Sequence, residues 1–192
     1  MWPAPSGNRL KARATSSFSG QAIIMERYLT NLDVWCWRYR ENQRNYPGLH
    51  FTAKPEACNS LKACVQQLRD EGAGAYRTIP LQVLRGSDEA KITGGQKLEC
   101  YRRLRLTLHE PSDKLRQMSF RGDADLACFD FVESHFAEFE RGLMDVHNGT
   151  GDYCIGPQAD RKKGLSVGEL DRQSECLWFW PCFGHLRVVE SK

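Results

Sequence analysis

The chain has 192 residues, 41% hydrophobic and 27% charged, enough for one domain with a proper core and too few for two comfortable ones. No apolar run approaches the roughly 20 residues that cross a bilayer, which excludes a membrane-spanning helix, and no membrane partner is expected. The net charge of +3 resides in Arg9, Lys11 and Arg13 near the start; beyond them basic and acidic side chains number 24 each. That balance offers no general attraction to phosphate and speaks against a nucleic-acid partner.

Residues 1–24 are rich in Pro, Ser, Ala and Gly, lack periodicity and are expected to be disordered. Two readings of this extension are open: a presequence, or translation that starts at Met25, which the onset of a periodic pattern there favours. From Met25, Leu29, Leu32, Cys36 and Tyr39 follow a spacing of three and four, predicting an amphipathic helix that ends before Tyr46-Pro47-Gly48. A short extended piece over 49–52 leads to Lys54-Pro55. Proline suits a first helical position, and Cys58, Leu61, Val65 and Leu68 predict a second helix, with Ala57 and Cys64 beside the stripe and Gly72 and Gly74 stopping it.

Ile79, Leu81 and Val83 alternate with their neighbours, and Pro80 assigns that strand to a sheet edge. Residues 87–96 read as a polar loop. Leu98, Cys100, Leu104, Leu106 and Leu108 then point one way, with Glu99, Tyr101, Arg103, Arg105, Thr107 and His109 the other, predicting one long strand of an antiparallel sheet. Arg102 interrupts the inner row, either near a strand end or paired. Residues 115–120 read as a partner strand, Gly122-Asp123-Ala124-Asp125 as a turn, and 126–130 as strand or helical lead-in. Asp130 and Glu133 have capping-box spacing, and Val132, Phe136, Phe139, Leu143 and Val146 predict a third helix stopped by Asn148-Gly149.

The chain closes on Tyr153-Cys154-Ile155 and Leu177-Trp178-Phe179-Trp180, read as two short strands of one sheet. Large apolar side chains on both faces of 177–180 predict a strand inside the sheet with helices on both sides. Between them, 157–175 is a polar insertion carrying Arg161-Lys162-Lys163, read as a solvated loop rather than a binding arm. Residues 186–192 are a tail or an extra strand.

The chemistry-bearing residues form no complete constellation. Eight cysteines, an even number, invite a disulfide framework, but the chain is larger than the small scaffolds that need staples and Ala22-Ile23-Ile24 is too short for a secretory core; reduced, buried thiols in a cytoplasm are expected. Cys182 and His185, with Cys176 upstream, lack the second close pair that a zinc site needs, and Cys58 and Cys64 are badly placed to share an ion, so no metal and no cofactor are expected. His135 and Glu138 share one side of the third helix, a geometry open to acid–base work but more ordinary as a surface charge pair. No Ser has a nucleophile-elbow setting, and the glycines around 94–95 and 149–151 lack the rest of a phosphate loop. Asp152, Tyr153, Trp178 and Trp180 remain as binding candidates: half-covered rings there would anchor another protein, fully covered ones would be core.

Residues 25–180 resemble a scattered group of small bacterial proteins of unassigned function. The resemblance rests on Leu32-Asp33-Val34-Trp35, a helix around Leu61, the Gly151-Asp152-Tyr153 turn and the closing Leu177-Trp178-Phe179-Trp180. It implies no catalytic residue. The expected fold is α+β, a single domain over 25–192 with a mostly antiparallel sheet covered by about three helices. The expected function is that of a non-catalytic interaction protein, with a partner-neutralising, immunity-type role among its uses. The alternatives are a small enzyme centred on Asp152 or His135, or a Cys/His metal site.

Overall fold

A computed structural model describes residues 32–41, 46–84, 96–111, 118–150, 153–156 and 174–182. They form an α+β domain of two sheets and two helices. The strands are β1 (Val34–Tyr39), β2 (Leu49–Ala53), β3 (Tyr76–Pro80), β4 (Leu98–Cys100), β5 (Arg103–His109), β6 (Ser119–Asp123), β7 (Leu126–Val132), β8 (Tyr153–Ile155) and β9 (Leu177–Phe179). The helices are α1 (Pro55–Glu71) and α2 (Phe136–Asn148), the latter entered through a 3-10 turn, Glu133–His135. One sheet has the order β4-β1-β2-β9-β8 and the other β3-β5-β7-β6. Both are mixed: β2 runs parallel to β9 and β5 parallel to β7, and the other described pairings are antiparallel.

The two sheets share one core, and Phe139 of α2 sits at the seam. Its ring contacts Phe51 and Phe179 of the five-stranded sheet and Phe129 and Phe131 of the four-stranded one, with centroids between 5.1 and 6.2 Å. Aromatic side chains suit this position because one ring reaches several neighbours and removes a large area from water. Beside α2, α1 adds Ala57, Cys58, Leu61, Cys64, Val65 and Leu68 to the same core, all buried, and Arg69 of α1 pairs with Glu140 of α2 at 2.9 Å. Pro55 opens α1 at the predicted place and Gly72, at φ 85°, ends it. Gly149 ends α2 in the left-handed region, as Asn148-Gly149 leads one to expect.

Several expectations are corrected. Residues 34–39 are a strand, not part of a helix running from Met25, because β2 and β4 bond to both of its edges. Its side chains are covered on both faces, so apolar residues fall at intervals that imitate a helical stripe; residues 25–31 lie outside the described ones. Two helices, rather than three, cover the sheets among the described residues. The alternating run 98–109 is two strands in different sheets. The chain leaves one sheet at Tyr101 and Arg102, whose backbone groups bond to Cys36 and Asp125 at 2.9 and 2.8 Å.

The segment expected to pair with that run does not: β6 pairs with β7, while β5 lies between β3 and β7. Residues 126–132 are strand, and Asp130 accepts hydrogen bonds from side chains across the sheet instead of forming a capping box. Only Ala124 and Asp125 make the expected turn at 122–125, since Gly122 and Asp123 belong to β6. Pro80 does lie on an edge strand, β3.

The closing strand lies where its composition requires. β9 is flanked by β2 and β8, with Leu177 and Phe179 fully buried towards α2. Its other face differs from expectation: Trp178 and Trp180 are only half-buried, and among the described residues aromatic rings rather than a helix lie against them. Of the polar insertion, 157–173 lie outside the described residues. Its end is stitched to the other sheet, where the Phe120 amide donates to Ser174 Oγ at 2.8 Å and the Gly122 amide to Glu175 Oε1 at 3.0 Å.

Candidate functional site

The face of the five-stranded sheet turned away from the core is built by alternation. Leu49, Phe51, Leu177 and Phe179 join the core, so His50, Thr52 and Trp178 must project to the opposite side. Trp37 and Leu98, with Trp35, Tyr39, Cys100 and Trp180 packed against them, form a second apolar cluster there that also includes Leu84. Tyr46, 42% exposed, stands at its rim and meets Trp178 and Trp180 edge-on at 5.2 and 5.3 Å.

His50 is the centre of this face. Its ring stacks with Trp37, Trp178 and Trp180 at centroid distances of 5.6, 6.5 and 6.0 Å, and Tyr39 meets it edge-on at 4.8 Å. Trp180 Nε1–H donates to His50 Nδ1 at 2.8 Å. An indole can only donate, so Nδ1 must be the unprotonated nitrogen, and the proton on Nε2 is directed to the Tyr46 carbonyl at 3.2 Å. Burial lowers the His50 pKa to about 4, against a weaker raising effect of that carbonyl. The imidazole is therefore neutral at pH 7 with both nitrogens committed. Such a ring is an orienting element, not a general base.

The tryptophans are equally fixed. Trp178 Nε1–H donates to the Pro47 carbonyl at 2.8 Å, and the Trp180 carbonyl accepts from Thr52 Oγ1 at 2.8 Å. Their rings stack at 6.4 Å. With the polar atoms satisfied inside the protein, the exposed parts of both rings are apolar and preset in orientation.

Of the four predicted binding residues, Trp178 and Trp180 belong to this face. Tyr153 does not. It is buried on the core side, beside Phe179 at 5.7 Å, with its hydroxyl donated to Glu138 and Arg141 stacked on its ring at 5.4 Å. Asp152 lies outside the described residues. The pair His135 and Glu138 is separated: His135 stands at the residue before α2 and makes no side-chain cap, and Glu138 accepts from the Tyr153 hydroxyl. His185 lies outside the described residues. Among the described residues no group of three or more His, Cys, Asp or Glu side chains is placed to hold a metal ion. All eight cysteines are free, and Cys36, Cys58, Cys64, Cys154 and Cys182 are buried.

Two features escaped the sequence reading. His50 is one, although its position between Leu49 and Phe51 already marks it as facing away from them. The other is the buried Asp130 carboxylate, which accepts from Arg121 at 2.7 Å and lies 3.2 Å from His109 Nε2. Three different strands contribute to it, so no local spacing announces it. No protein-family model matches the chain, and no curated protein matches it.

Proposed function

We propose that this chain is a non-catalytic interaction protein that binds another protein through the His50–Trp178–Trp180 face. The observation that carries the reading is the pair of half-exposed, stacked tryptophans whose N–H groups are already bonded within the fold. Tryptophan and tyrosine dominate interface hot spots, and rings held in place before binding lose little entropy on association. A purely structural ring pair has no need to present its edges at the surface beside an exposed Tyr46.

A cytoplasmic setting belongs to the same proposal, supported by eight free thiols. So do an immunity-type use and kinship with the small bacterial proteins that carry a Gly-Asp-Tyr turn and a closing Leu-Trp-Phe-Trp segment. The test is affinity capture with the full chain, its Trp178→Ala and Trp180→Ala variants, and Tyr76→Ala as an exposed-aromatic control on the other sheet. A partner retained by wild type and the control but lost from both tryptophan variants, with circular dichroism unchanged, is the expected result. Equal capture by all four proteins, or substrate turnover in place of capture, would overturn it.

A further inference from the structure

The aromatic face has a pair of cysteines at its border. In the β8–β9 ladder Cys154 is opposite Trp178, and continuing the register places Gly156 opposite Cys176. Cys154, Gly156, Trp178 and Cys176 thus share one side of the sheet, with the two cysteines on a diagonal. A side chain at 156 would stand between them. A Cβ built on Gly156 lies 2.9 Å from Cys176 Sγ and 3.6 Å from Cys154 Sγ, so both sulfurs crowd the space that this glycine leaves empty. Cys154 is 1% exposed, whereas Cys176 is partly accessible.

We propose that Cys154 and Cys176 are a redox dithiol whose closure to a disulfide reshapes the Trp178–Trp180 face. The two thiols are unequal. The neighbouring Cys176 raises the pKa of Cys154, and burial adds to this; the Cys154 thiol lowers that of Cys176. The accessible sulfur is thus the one favoured as thiolate, as an attacking cysteine requires. With a small-molecule disulfide such as oxidised glutathione, the Cys176 thiolate attacks one sulfur and expels glutathione thiolate, leaving a mixed disulfide. Cys154 then gives up its proton, attacks Cys176 Sγ and expels the second glutathione. The protein loses two hydrogens, and the oxidant becomes two thiols.

The route from this bond to the aromatic face is short. Cys176 precedes β9, and its carbonyl accepts from the Leu49 amide at 2.8 Å. Gly48, at φ 99°, packs so closely on the Cys176 backbone that a Cβ there would fall 2.4 Å from the Cys176 carbonyl oxygen. Drawing Cys176 towards Cys154 therefore displaces the 46–48 turn, whose Tyr46 and Pro47 carbonyls hold His50 and Trp178.

This consequence rests on the binding reading above, but the disulfide does not, and the test keeps them apart. The full chain is treated with oxidised glutathione, then examined by intact mass, non-reducing peptide mapping and tryptophan emission. Wild type is expected to lose two hydrogens, yield one cross-link joining the Cys154 and Cys176 peptides, and shift its emission reversibly on reduction. Cys154→Ser is expected to stop at a glutathione adduct on Cys176, and Cys176→Ser to leave Cys154 unmodified, both without the reversible shift. A stable adduct on wild-type Cys176, a cross-link between other cysteines, or closure without any emission change would overturn the proposal. A partner captured regardless of Trp178 would instead sink the binding reading and leave the cross-link untouched.

Discussion

Trp180 and His50 are 130 residues apart in sequence and share a 2.8 Å hydrogen bond from the indole N–H to the imidazole Nδ1. The backbone reinforces it, since the Trp180 amide donates to the Phe51 carbonyl at 2.9 Å. Protonation of Nδ1 would set two donors against each other, so this bond requires the neutral ring.

A pH dependence follows with a definite sign. The folded pKa of His50 is about 4, below its ordinary 6.5, so the unfolded chain binds the extra proton first. The stabilisation from keeping His50 neutral is complete above about pH 6.5 and is lost as pH falls towards 4, a few kcal/mol in all. Urea denaturation of wild type and His50→Gln at steps from pH 7.5 to 4 checks this. The wild-type midpoint should fall with pH over that window, and the variant should lack that component.

Neighbouring residues of β9 should separate stability from binding. Phe179 is fully buried among Phe51, Phe139 and Tyr153, so Phe179→Ala should cost about 3–5 kcal/mol. Trp178 is half-covered, and Trp178→Ala should cost about 1–2 kcal/mol while abolishing partner capture. Denaturation midpoints beside capture yields measure both.

Gly142 presents opposing effects. Alanine in the middle of a helix ordinarily gains about 1 kcal/mol over glycine. Here a Cβ would fall 2.5 Å from the Phe179 ring, which β2, β8 and Phe139 hold in place, and overpacking of that kind costs about 1–3 kcal/mol. Gly142→Ala should therefore lower the thermal midpoint despite the better helix former.

Tyr101 offers the reverse case. Its hydroxyl is buried with no hydrogen-bond partner among the described residues, and burial holds its pKa above the usual range. Tyr101→Phe removes a desolvated polar atom while keeping the ring, so stability should stay level or rise by up to about 1 kcal/mol. A clear loss in urea denaturation would show that the hydroxyl is needed.

Elements with local signals are legible along the chain. Pro55 and the stripe from Ala57 to Leu68 specify α1, Gly149 terminates α2, Pro80 marks an edge, and Leu177 to Phe179 belongs inside a sheet paired with Tyr153 to Ile155. In each, the cause is a φ restriction, a missing donor or a side-chain period that acts within a few residues. The other elements depend on pairing between distant strands. Residues 34–39 have apolar groups on both faces, so three- and two-residue periods fit equally until β2 and β4 pair with them.

Leu98 and Leu104 have the same parity, yet Leu98 joins the outer aromatic cluster and Leu104 the core, because the chain changes sheets between them. The candidate site depends on the same kind of fact. His50 meets Trp180 only because β9 returns parallel to β2, and parallel strands are joined by long excursions of chain that no local pattern records.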